Sequence, residues 1–124
     1  MLVSSIAGVL NSAAANIYNV YTLRGQMNAV FLYHGQQFTW DLEKAATNLA
    51  KHGVAFEHAC EVFFDPFVRI EDGGTDEEQR EAAIGLTEDW NVLYVIHLMR
   101  EGETIRIVSA RIATAQERRR YEDE

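Results

Sequence analysis

Cysteine and proline are almost absent: the chain of 124 residues holds one of each, Cys60 and Pro66. A lone thiol closes no internal disulfide, and its flanks offer no second thiolate for a zinc centre. Cys60 therefore reads as a small apolar filler suited to a reducing cytoplasm. So little proline, with eight glycines, leaves little room for a disordered linker. No stretch approaches the roughly 18 consecutive apolar residues of a membrane span, and the opening MLVSSIAGVLNSAAAN lacks the basic start of a secretory signal. Missing too are a glycine-rich phosphate loop, a GxSxG elbow and an HExxH pair, so nucleotide hydrolases, serine hydrolases and zinc proteases lose their strongest signals. His34, His52, His58 and His97 show no i, i+4 pairing, and no metal or other cofactor is expected.

What is present fits one α+β domain with a real core: 48% apolar and 24% charged residues. The net charge is −8, an argument against a surface that grips nucleic acid everywhere. The charge is segregated, however. Residues 71–89 carry eight acids and one arginine, Arg80, whereas six of the eleven basic residues, Arg100, Arg106, Arg111, Arg118, Arg119 and Arg120, fall in the last 25 positions.

Apolar residues at Ile6, Val9, Leu10, Ala13, Ile17, Val20 and Tyr21 recur at helical spacing, predicting an amphipathic helix over residues 5–24. The segments flanking Gly35 read as short strands. Asp41 is an N-cap for a helix that Gly53 stops, and Phe56, Ala59, Cys60, Phe63 and Phe64 continue a second stripe until Asp65-Pro66 breaks it. Residues 69–80 read as a solvated acidic loop. EAAIGL, NVLYVIHL and ETIRIVSA predict a three-strand antiparallel meander, and Thr114 with Glu117 forms a capping box for a terminal helix. The expected architecture is two N-terminal helices packed on an antiparallel sheet, closed by a C-terminal helix.

Strict alternation along the last strand places Ile105, Ile107, Ser109 and Arg111 on one face and Arg106 on the other. Two readings fit Arg111: a planar fork for phosphate or carboxylate, or a structural pair with Glu117. Arg80 is either a site cation or a salt bridge to the acidic loop. Lys51 and His52 end the first helix, where they complement exposed carbonyls or serve as a donor pair. Arg118, Arg119 and Arg120 spread over roughly 200° of helix, so one ligand meets only part of that run. Tyr121 suits a proton donor, a stacking surface or a core anchor.

Two separated motifs add a family resemblance over residues 38–122. Trp40, Asp41, Lys44, Asn48, Lys51, His52, Gly53, Val54 and Phe56 match the W-D-x-x-K-x-x-x-N-x-x-K-H-G-[VI]-x-F opening of BrnT toxins. Ile107, Ser109, Ala110, Arg111, Ala113, Thr114, Glu117, Arg118 and Tyr121 match the I-x-S-A-R-x-A-T-x-x-E-R-x-x-Y close. The resemblance implies a ribonuclease toxin of a type II toxin-antitoxin pair, with a fold related to RelE and ParE toxins. It implies metal-independent RNA cleavage, acting on free or ribosome-associated RNA. It also implies neutralisation by a BrnA-like ribbon-helix-helix antitoxin, through which alone the pair meets operator DNA. On this footing Lys51, His52, Arg80 and Arg111 are the expected catalytic residues, and Arg106, Arg118 and Tyr121 the expected RNA contacts. The alternative is a decayed, non-catalytic toxin serving as co-repressor. Because the resemblance begins near Trp40, residues 1–37 are expected to be an extension, with Met27 an alternative start, and residues 38–124 the toxin domain.

Overall fold

Branched and aromatic residues crowd both sides of the His34-Gly35 turn, and such residues favour the pleated backbone. In a computed structural model, which describes residues 2–7, 17–23, 25–74 and 79–123, they form an antiparallel meander. Its strands are β1 (Leu2–Ala7), β2 (Ile17–Leu23), β3 (Gln26–Tyr33) and β4 (Gln36–Asp41). A second antiparallel meander comprises β5 (Arg69–Asp72), β6 (Glu81–Leu86), β7 (Val92–Arg100) and β8 (Thr104–Ile112). The two join where β4 lies parallel to β8, with Phe38 beside Ile105 and Thr39 beside Arg106. One eight-stranded sheet results, in the order β1-β2-β3-β4-β8-β7-β6-β5.

One sheet face is covered by α1 (Leu42–His52) and by a single turn, α2 (Phe56–Ala59), that tightens into a 3₁₀ segment, Cys60–Phe64. Asp41 caps α1, accepting from Glu43 N at 2.8 Å, and Gly53 ends it with φ 72°, a backbone region that costs glycine nothing. Trp40, Phe38 and Phe56 are the largest fully buried side chains beneath these helices, each contributing on the order of 2 kcal/mol. The 3₁₀ segment presses on β6 at Gly85, where a Cβ would sit 2.8 Å from Val62 Cβ. Cys60 is wholly buried, and burial pushes its thiol well above the ordinary value, which agrees with an inert filler.

Asn48 braces α1 to β8. Its amide nitrogen donates to Ala110 O (2.8 Å) and Val54 O (3.0 Å), and its oxygen accepts from Ala110 N (3.1 Å), all in the interior. Asn48→Ala leaves three buried backbone groups unpaired, so a loss of about 2–4 kcal/mol is expected in urea unfolding, against under about 1 kcal/mol for Ala46→Ser on the exposed side of the same helix.

Two helices were expected to open the chain; instead strands come first. The described parts of residues 5–24 belong to β1 and β2, and the remainder lies outside the described residues. Helical spacing there was coincidental: Ile17, Tyr18, Val20, Tyr21 and Thr22 are strand formers, and β3 supplies a partner along the whole of β2. The sheet is mixed rather than antiparallel throughout, and the predicted boundary between residues 37 and 38 lies within β4. Part of the predicted acidic loop, Arg69–Asp72, is edge strand β5; residues 75–78 lie outside the described residues. The three-strand meander, the Asp41 cap, the Asp65-Pro66 break and the Thr114 capping box all appear as expected.

Strict alternation along β8 also fails. Ile96 pairs with Ser109 but His97 pairs with Ile107, so Val108 is an extra residue and the faces exchange beyond it. Ile105, Ile107 and Ala110 consequently share the main core. Arg111 lies over Tyr94, a ring packed in the smaller cluster on the opposite face with Ile84, Val92 and Ala113. There α3 (Ala115–Glu122) covers β6, anchored by Tyr121.

His97 is 2% exposed, edge-on to Phe63, with Nε2 3.3 Å from Glu81 Oε1. Burial lowers its pKa, outweighing the nearby carboxylate and the Val95 carbonyl. The unfolded chain therefore takes up the proton more readily than the folded one. This stabilising contribution is present above the unfolded value, about 6.5, and is lost as pH falls below it. Urea midpoints are expected to drop between pH 7 and pH 5, and His97→Leu is expected to flatten that slope.

Candidate functional site

Among the described residues, nothing covers the sheet face opposite α1 over β2, β3, β4, β8 and the end of β7. Strand alternation sets its chemistry: Ala29, Phe31, Phe38 and Trp40 turn into the core, so Asn28, Gln37 and Thr39 turn to the other side. A cavity of about 700 Å³ lies over these polar groups, walled by Tyr21, Gln26, Thr104, Arg100, Glu101 and Arg106. A smaller cavity of about 120 Å³ shares Arg100 and Arg106 with it and adds Arg80, Lys44 and Asp41. Together they make a cleft with four cations and two carboxylates, in a chain of net charge −8.

Arg106 is the centre of this cleft. Its Nη2 donates to Asn28 Oδ1 at 2.8 Å and its Nη1 to Thr39 Oγ1 at 3.4 Å, both neutral acceptors. The guanidinium is thus aimed without being neutralised, and its remaining donors suit phosphate oxygens. Of the two carboxylates, Asp41 is engaged in capping α1, while Glu101 is exposed. Asn28 is 3% exposed and also donates to Gln26 O, which fixes the amide that orients Arg106.

The other C-terminal arginines are used differently. Arg111 forms a two-pronged bridge to Glu117 (2.8 and 2.9 Å) and stacks 4.4 Å from the Tyr94 ring centre. Glu117 accepts as well from Thr114 N, and the Arg111 guanidinium beside it holds its carboxyl below the usual range. Arg120 makes a similar bridge to Glu71, which also holds Arg69. Arg118 and Arg119 are exposed, with no ion-pair partner among the described residues. Tyr121 donates to Asp65 Oδ2, the oxygen that also receives Leu86 N; burial first, then this bond, pushes the phenol up to about 12.

Of the residues expected from sequence, Arg80 and Arg106 come together in the cleft. Lys51 and His52 sit at the far end of α1, about 12 Å along the helix from Lys44. Arg111, Arg118 and Tyr121 belong to the α3 end of the sheet. Lys44, Arg100 and the polar floor also line the cleft and were not among the residues expected from sequence. Lys44 stands in the W-D-x-x-K motif, and Asn28 alternates with core residues Ala29 and Phe31, signals that a strand reading of residues 17–33 exposes.

One other group among the described residues brings possible cation ligands together: His58, Glu61 and Asp89. Glu61 faces Nδ1 (3.3 Å) and Asp89 faces Nε2 (3.1 Å), so the carboxylates flank opposite ring nitrogens, an arrangement for ion pairing rather than for one shared ion.

Fold and cleft together define a small α+β protein with a polar, cation-lined sheet face. The family model described as the ribonuclease toxin, BrnT, of a type II toxin-antitoxin system matches residues 40–117, and the chain belongs to that family. Among curated proteins, none matches the chain. Family membership identifies a ribonuclease toxin with an antitoxin as its partner. Among the described residues no helix is long and apolar enough to cross a membrane.

Proposed function

We propose that the chain is a metal-independent endoribonuclease whose working surface is the cleft around Arg106. The observation that carries this is the contrast among its arginines: Arg111 and Arg120 are bridged to Glu117 and Glu71, whereas among the described residues Arg106 is oriented by an amide and a hydroxyl. In this reading the ribose 2′-oxygen attacks the adjacent phosphorus as its proton passes to Glu101. The bond to the 5′-oxygen then breaks, leaving a cyclic phosphate and a 5′-hydroxyl protonated from water. Arg106, Arg100 and Arg80 hold the charge that builds on the phosphate oxygens, and Lys44 steadies the leaving side. Arg80 and Arg106 carry over from the sequence-based set; Lys51, His52, Arg111, Arg118 and Tyr121 are given no part in the chemistry.

The partner in this reading is a BrnA-like ribbon-helix-helix antitoxin that covers the cleft and supplies all contact with operator DNA. Kinship with RelE and ParE toxins, and action on ribosome-bound RNA, belong to the same reading. The test is incubation of the purified full chain with single-stranded RNA in excess chelator. Cleavage that persists there and disappears in Glu101→Gln supports the mechanism, and cleavage that stops on chelation defeats it. A second reading, a non-catalytic toxin acting as co-repressor, draws on the fact that none of the four histidines lines the cleft. RNA left intact by a folded protein that still binds its antitoxin selects it.

A further inference from the structure

The family match begins at residue 40, yet much of the large cavity's wall comes from earlier in the chain. Tyr21 on β2, Gln26 and Asn28 on β3, and Gln37 and Thr39 on β4 all precede it. These strands are firmly part of the sheet: Tyr21 pairs with Asn28 and Asn28 with Asp41, so the polar row runs from β2 to the start of α1. The row delivers a phenol ring, half buried, and carboxamides whose bonding is incomplete. Gln37 donates to Thr104 Oγ1 at 3.1 Å, which leaves its oxygen open, and Gln26 is exposed.

Inorganic phosphate or a duplex backbone would use the arginines and leave these groups idle. A ring to stack on, paired donors and acceptors, and a cationic neighbour are what an unstacked base beside its phosphate requires. The volume, about 700 Å³, falls within the roughly 300–1,000 Å³ of small-ligand sites, room enough for one nucleotide.

We propose that the N-terminal meander supplies a base-reading subsite for single-stranded RNA, with the base on Tyr21, its edge on the Gln26 and Gln37 amides, and its phosphate on Arg106 and Arg100. This rests on the ribonuclease reading and goes beyond it: an extension outside the family segment sets which nucleotide lies next to the cut. Asn28 acts as a positioning residue, aiming Arg106 from the floor of the same subsite.

The experiment uses the full chain and 2′-O-methyl oligonucleotides of the four bases, which bind without being cut, followed by anisotropy. The parent is expected to prefer one base. Tyr21→Ala and Gln26→Ala are each expected to lower affinity for that oligonucleotide about tenfold, flatten the preference and shift the cut sites on a long RNA, at unchanged Tm. Gln26, exposed beside a turn, provides the variant that spares strand pairing. Variants with the parent's affinity, preference and cut sites overturn the subsite while leaving the ribonuclease intact, as does a cutting parent that binds none of the four. A parent that binds selectively but cuts nothing removes the ribonuclease reading and leaves the subsite standing.

Discussion

Alanine at Arg106 is expected to lower RNA cleavage by about a hundredfold or more while moving Tm by no more than a degree or two. The magnitude is that of removing one preorganised donor from a developing oxyanion. Stability is spared because, among the described residues, the guanidinium is tied to Asn28 and Thr39 in an open cleft, where water replaces it at little cost. Arg111→Ala is expected to do the opposite. It strips the largely buried Glu117 of its charge partner and removes the cover over Tyr94. A loss of about 1–2 kcal/mol, or roughly 5–10 °C in Tm, follows, moderated because a third of Arg111 is in water. Cleavage per folded molecule should persist. Parallel thermal melts and cleavage rates for the two variants check the assignment; equal loss of activity at both would move the site toward α3.

Starting the chain at Phe38 is expected to abolish folding. That cut removes β1, β2 and β3, and with them Ala29, Phe31 and Tyr33, which share the core with Phe38 and Trp40. Phe31 stacks on Tyr33 and lies tilted against Trp40, with centroids 6.1 and 5.7 Å away. Two buried aromatics contribute about 2–3 kcal/mol each, before the bared flank of β4 is counted, and typical total stability is about 5–15 kcal/mol. What remains of β4 would be held to β8 by two residue pairs. The expected result is an insoluble product, or one without a cooperative urea transition. A chain starting at Met27 retains nearly all of β3 and should melt cooperatively at a lower temperature, yet bind RNA weakly because Tyr21 and Gln26 are gone. Wild-type-like melting of the shorter piece would overturn this reading of the N-terminal strands.

Local chemistry was legible wherever it is self-contained. The Asp41 cap, the Gly53 stop and the Thr114–Glu117 capping box each depend on groups a few residues apart, and each appears where it was expected. The N-terminal strands were misread for a related reason: apolar residues at helical intervals satisfy a strand equally well once a neighbouring strand provides hydrogen bonds. That neighbour, β3, lies across a turn that periodicity does not see. The role of Arg111 turned on one residue. Val108, inserted as a bulge, exchanges the faces of β8, and nothing in the spacing of TIRIVSARI announces it.

The sequence by itself determined the family, through two motifs in order, together with the α+β class and the segregation of charge toward the C-terminus. Only the tertiary structure decided that Arg111 and Arg120 are bridged to carboxylates while Arg106 is held by neutral groups. That choice depends on which carboxylates come within about 3 Å, and these are brought there by chain folding from as far as 49 residues away, as Glu71 is to Arg120. Arg106 meets an amide 78 residues away instead of an acid, and so keeps its charge for the cleft.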